Sequence, residues 1–81
     1  MVKPTRVTNG IRALRFAAGE MTQADLAERI GVTRQTIIAI EAARYAPSLE
    51  LAFRIARAFG RPLEDVFHYG PEPQERPRGN A

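Results

Sequence analysis

The residue types that do covalent chemistry are nearly absent from this chain. It has no cysteine and one histidine, His68. Its one serine, Ser48, stands where it can cap a helix. No glycine-rich phosphate loop is present, and Glu41, Glu50, Glu64 and Asp65 are explained by helix ends and faces. An enzyme is not expected, nor a metal, cofactor or small-molecule substrate. What stands out is a short run of side chains suited to recognition. Arg34 and Gln35 begin a helical stretch, with Ile38 and Ala39 a turn later on the same side. An arginine can donate two hydrogen bonds to guanine O6 and N7. A glutamine can pair with adenine N6 and N7, and a small apolar group can pack on a thymine methyl.

These side chains need a scaffold that holds one edge of their helix outward, and the flanking residues describe one. Thr22, with Asp25 three residues on, is the signature of a capped N-terminus. Ala24, Leu26, Ala27 and Ile30 make an apolar stripe, and Gly31 stops that helix. Only Val32 separates Gly31 from the next cap, Thr33, so two short helices meet at a tight turn and at a steep angle. Ala27 is small where they approach, and Val32 can plug the gap under the turn. Ile37 and Ile40 anchor the second of the two, expected from 34 to about 42, and its other face stays free. Helix N-termini bind phosphate through free backbone N–H groups. Thr22 and Gln23 form one such terminus and Thr33 and Arg34 another, with Thr36, Arg44 and Tyr45 as further backbone contacts.

Three more helices are expected around this pair. The first runs from Thr8 or Asn9 to Ala18, with Val7, Ile11, Leu14 and Ala18 as its apolar face. The fourth opens at Pro47 and Ser48, buries Leu51, Ala52, Ile55, Ala56 and Phe59, and ends at Gly60. Pro62, at the first helical position, opens a short fifth helix through Val66 or Phe67. No strand of ordinary length is expected, although residues 3–6 or 68–70 could pair as extended edges. Leu63, Val66, Phe67 and Tyr69 are much apolar material for so short a segment. They suit core packing or a two-fold interface, the latter slightly favoured, and Phe53 suits satellite core or a dimer surface.

The chain has 81 residues and a formal net charge of +3, which gives one small domain with a basic balance suited to a polyanion. No apolar run approaches the ~20 residues that span a bilayer. The start lacks a secretory apolar stretch, so a cytoplasmic location is expected, with no membrane partner. The division expected is an N-terminal arm over 1–7, a folded domain over 8–69 and a flexible tail over 70–81, which lacks anchoring apolar side chains. Lys3, Arg6 and Arg12 are read as general charge.

The stretches 21–41, 44–60 and 62–67 together resemble the Cro/CI-type (Xre) helix-turn-helix family, over about three quarters of the chain. The resemblance implies an all-α, five-helix, lambda-repressor-like DNA-binding domain. It further implies a transcriptional regulator that binds double-stranded DNA as a homodimer on a palindromic operator, with repression the simpler mechanism. It places base readout on Arg34 and Gln35 with Ile38 and Ala39 as neighbours, phosphate contacts on Gln23, Thr33, Thr36 and Arg44, and a structural ion pair between Arg15 and Glu41. Two departures stand out. Ala42 and Ala43 occupy a turn that usually carries glycine, so either an alanine takes a left-handed backbone or the helix runs on. The stretch 18–21 is one residue longer than in many members. A second functional reading keeps the fold but makes the chain an antitoxin or accessory DNA-binding subunit that also binds a partner protein.

Overall fold

The computed structural model describes residues 5–70. In chain order it contains β1 (Val7–Asn9), α1 (Ile11–Ala17), α2 (Gln23–Ile30), α3 (Arg34–Glu41), α4 (Leu49–Phe59), α5 (Leu63–Val66) and β2 (Phe67–Tyr69). The five expected helices are present around one core of Ile11, Leu26, Ala27, Ile30, Ile37, Ile40, Ile55, Ala56 and Val66. Every helix sends side chains into it, so the recognition pair α2–α3 is held from behind by α1, α4 and α5. The expected tail beyond Gly70 and the first four residues of the expected arm lie outside the described residues.

The start of α1 differs from expectation. Residues 7–9 form a strand, antiparallel to residues 67–69, with Val7 opposite Tyr69 and Asn9 opposite Phe67. The helix therefore starts at Ile11, not at Thr8 or Asn9. Asn9 ties the junction together. Its side-chain oxygen accepts from the Ile11 N–H (3.2 Å), and its amide donates to the Ile40 carbonyl at the end of α3 (2.8 Å). Of the two extended segments anticipated, the C-terminal one pairs, one residue earlier than expected, with 7–9 as its ladder partner, and the Gly70 N–H reaches the Arg6 carbonyl (3.0 Å). The buried face of α1 is also shorter than expected and takes in Arg15. Ile11 and Arg15 are buried and Leu14 packs against the core, whereas Ala18 lies past the helix and is exposed. Before Thr22 the chain turns through Gly19 and Glu20, which both have positive φ.

The caps of α2 form as their residue types dictate. The Thr22 hydroxyl accepts from the Asp25 N–H (2.9 Å), and the Asp25 carboxylate accepts from the Thr22 N–H (3.1 Å). The Thr22 backbone N–H first, then the Thr22 side chain, and last the charge of Arg29 hold the Asp25 carboxyl below its ordinary value of 3.8. A carboxyl with a depressed folded-state value adds stability that is present above pH 3.8 and fades as pH falls through the lower folded value. Asp25→Ala should therefore melt below the wild type near neutral pH, and the gap should close in strong acid; thermal melts across that range check this.

At the end of α3 the first of the two alternatives holds. Ala42 caps the helix and Ala43 adopts φ +57°. The Arg44 N–H reaches the Ala39 carbonyl (2.9 Å) and the Ala43 N–H reaches the Ile40 carbonyl (3.0 Å), the bonding that a glycine after a helix usually supports. A left-handed backbone strains an alanine, so Ala43→Gly should raise stability by about 1 kcal/mol, read as a higher urea midpoint at unchanged slope.

In α4 the Ser48 cap and the Gly60 stop are as expected. Pro62 is not the first helical residue of α5 but the cap before it. Its ψ of 156° is extended, and its carbonyl accepts from the Asp65 N–H. Core packing accounts for most of the apolar C-terminal segment, since Val66 is fully buried and Leu63 and Phe67 pack against the core. Tyr69, Leu49 and Phe53 remain exposed.

Candidate nucleic-acid interface

The interface is built on a buried charge pair. Arg15, 7% exposed, is the one buried charged residue among those described. Its guanidinium donates to both carboxylate oxygens of Glu41, Nε to Oε2 at 2.7 Å and Nη2 to Oε1 at 3.2 Å. A third bond, from Nη1, reaches the Met21 carbonyl at 2.8 Å. A planar guanidinium meeting a carboxylate with two parallel bonds fixes orientation as well as distance. The pair clamps the end of α3 to α1, and through Met21 to the residue preceding the α2 cap. Gln23 joins this cluster, its side-chain amide donating to Glu41 Oε1 at 3.2 Å.

That bond leaves Gln23 half-buried at the first position of α2. One amide hydrogen and the backbone N–H, which has no partner within the helix, stay available to an outside acceptor. Thr33 caps α3, its hydroxyl accepting from the Thr36 N–H at 3.3 Å. The Thr33 and Thr36 hydroxyls lie 3.0 Å apart, which orients both at the start of α3. Arg34 and Gln35 follow as its first two residues, and both are exposed. Ile38 and Ala39 are half-buried one turn on, while Ile37 and Ile40 are buried. The helix thus has one side committed to the core and an opposite edge bearing arginine and glutamine. Arg44 is exposed just past the left-handed Ala43, which redirects the chain there.

The fold brings Gln23 and Arg34 to one open cleft, which Arg12, Arg15, Phe16, Glu20 and Glu41 also line. Arg44 does not line it. Two features were missed by sequence reading. Gln23 depends on Glu41 for its orientation, and Arg12, taken as general charge, lines the same cleft as Arg34. An arginine one turn before a residue later stacked on it was the available signal for the second.

Among the described residues no helix is long and apolar enough to cross a membrane. No group of three or more His, Cys, Asp or Glu there could hold a metal ion.

Two short helices joined by a glycine turn, with the second anchored at its back and polar at its outer edge, define a helix-turn-helix DNA-binding domain. The comparisons agree. The helix-turn-helix family model of the Cro/CI (Xre) type matches residues 11–66, and the chain belongs to that family. It is 58% identical over 53 residues to an uncharacterized HTH-type transcriptional regulator of Methanocaldococcus jannaschii, a match covering 65% of this chain and 80% of that one. A second such regulator, from Archaeoglobus fulgidus, is 47% identical over 62 residues, covering 76% and 87%. The uncharacterized HTH-type transcriptional regulator YgzD of Bacillus subtilis is 49% identical over 59 residues, covering 73% and 88%. In shape the chain resembles a crystal structure from Bacteroides fragilis with a TM-score of 0.66 at 22% identity, covering 76% of this chain and 98% of that one. That likeness bears on the fold alone. The protein is a DNA-binding transcriptional regulator of the helix-turn-helix family.

Proposed function

We propose that this regulator works in the cytoplasm as a homodimer on a palindromic operator, inserting α3 of each copy into the major groove and repressing transcription by blocking polymerase. The observation that carries the reading is the outer edge of α3. Arg34 and Gln35 lie exposed at its N-terminal end, where a recognition helix meets base edges. Arg34 has no ion pair among the described residues. Ile38 and Ala39 offer apolar surface to a thymine methyl, and Gln23, Thr33, Thr36 and Arg44 supply donors to the flanking phosphates. Support for a two-fold partner comes from the apolar groove of Val7, Ala46, Pro47, Leu49, Ala52, Leu63 and Phe67, with Leu49 66% exposed at its side.

Selection from random duplex DNA tests this reading. The expected result is an enriched palindrome whose half-sites lie one helical turn, about 34 Å, apart. Binding that falls with salt but enriches no sequence would refute base readout and leave phosphate contact alone. The exposed Leu49, Phe53 and Tyr69 favour a second reading, an antitoxin or accessory subunit that binds a protein on that face. Purification of the native protein from its host with a stoichiometric partner would support it over the homodimer.

A further inference from the structure

We propose that the DNA footprint extends beyond the two recognition helices onto α1, where Arg12, held against the ring of Phe16, contacts a phosphate of the duplex backbone. The inference rests on the reading that α3 lies in the major groove, and it adds a contact on the side of the site opposite in sequence to Arg44.

Three observations carry it. First, Arg12 lines the same cleft as Thr22, Gln23 and Arg34. Arg12 and Arg34 therefore line one cleft beside the start of α2. Neither has an ion pair among the described residues. Of the two carboxylates lining the cleft, Glu41 is neutralised by Arg15, and Glu20 alone lacks an ion pair among the described residues. The cleft keeps a cationic balance that an anion would relieve. Second, Arg12 sits badly for the stability of its own helix. It is in the first turn of α1, which has no acidic residue, and a cation there opposes the helix dipole. Third, the arginine is oriented. Its guanidinium lies 5.7 Å from the centroid of Phe16. The Arg15 guanidinium, fixed by Glu41, lies 5.6 Å from the same centroid. Phe16 is 53% exposed and outside the core, so the ring serves as a shelf. A stacked arginine loses less freedom when it meets a phosphate than a freely rotating one.

The test uses the full chain and the duplex recovered by selection. Binding is measured at several salt concentrations for wild type, Arg12→Gln, Phe16→Leu, the double variant and Arg57→Gln. Arg57 lines a different cleft, with Arg29 and Arg54, so its variant loses the same charge elsewhere. For Arg12→Gln the slope of log K against log salt should shrink by about 0.9 for each copy, so by about 1.8 for the dimer. Affinity should fall severalfold at low salt, with base preference unchanged, while Arg57→Gln keeps the wild-type slope. Phe16→Leu should weaken binding less, and should add nothing in the Arg12→Gln background. Equal slope changes for Arg12→Gln and Arg57→Gln would reduce Arg12 to general charge and overturn the proposal. An unchanged slope for Arg12→Gln would overturn it too, and additive losses would remove Phe16 from it. If wild type selects no sequence, the α3 reading itself fails. If it selects one that Arg34→Ala loses while Arg12→Gln matches wild type, only the α1 contact fails.

Discussion

Arg15→Ala should destabilise this domain by about 3–5 kcal/mol, the range for removing one partner of a buried ion pair. The side chains of Arg15 and Glu41 are only 8% and 11% exposed. Removing the arginine would leave the Glu41 carboxylate desolvated, with Gln23 as its remaining side-chain donor, and would strip the Met21 carbonyl of its partner. A domain this small has a total stability of only about 4–12 kcal/mol, so a large part of the margin would go. The midpoint of thermal unfolding should fall by about 15 °C or more. Glu41→Gln should be nearly as damaging, because it strands the guanidinium instead. A double variant with apolar residues of similar volume should recover much of the loss, since the cost lies in the unpaired charge. Urea and thermal melts of the two single variants and the double variant check this. A loss below about 1 kcal/mol for Arg15→Ala would put the pair in the class of exposed salt bridges and contradict its burial.

The second large effect concerns binding. Arg34→Ala should cost about 1–3 kcal/mol per half-site, concentrated at one base position. In a symmetric dimer both copies lose the contact. The summed penalty of about 2–6 kcal/mol corresponds to roughly 30-fold to 10⁴-fold weaker operator binding. Binding to unrelated duplex should fall much less, so most of the lost affinity is lost specificity. Because Arg34 is exposed and unpaired among the described residues, the fold should be untouched, and melting curves should superimpose on those of the wild type. Competition binding against operators varied one position at a time reads the effect. Retention of both affinity and base preference would remove α3 as the reading element.

How much of this was legible in advance depends on the range of the forces involved. Thr22 with Asp25, Thr33, Ser48, Gly31 and Gly60 set the limits of α2, α3 and α4. Each acts within one helical turn, through a cap or a left-handed stop that the residue type itself favours. The burial of Ile37 and Ile40 and the exposure of Arg34 and Gln35 follow from a helical repeat of 3.6 residues and need no knowledge of the rest of the molecule. The chemistry of the exposed α3 edge was therefore written in residue types and spacing, as was the class of scaffold.

Tertiary structure decided what depends on residues far apart in the chain. Pairing of 7–9 with 67–69 converted the expected start of α1 into a strand. Extended pairing draws its stability from a partner that the local pattern does not contain. The pairing of Arg15 with Glu41 was expected from the family resemblance alone, because nothing near Arg15 in the sequence marks it for burial. It is buried because Glu41, 26 residues away, arrives to accept its bonds. That Arg12 and Arg34 line one cleft belongs to the same class. Local sequence determined which helices form and what the exposed edge of α3 can recognise. The packing of those helices determined which other charges stand beside that edge, because distances between elements are set only when the core closes.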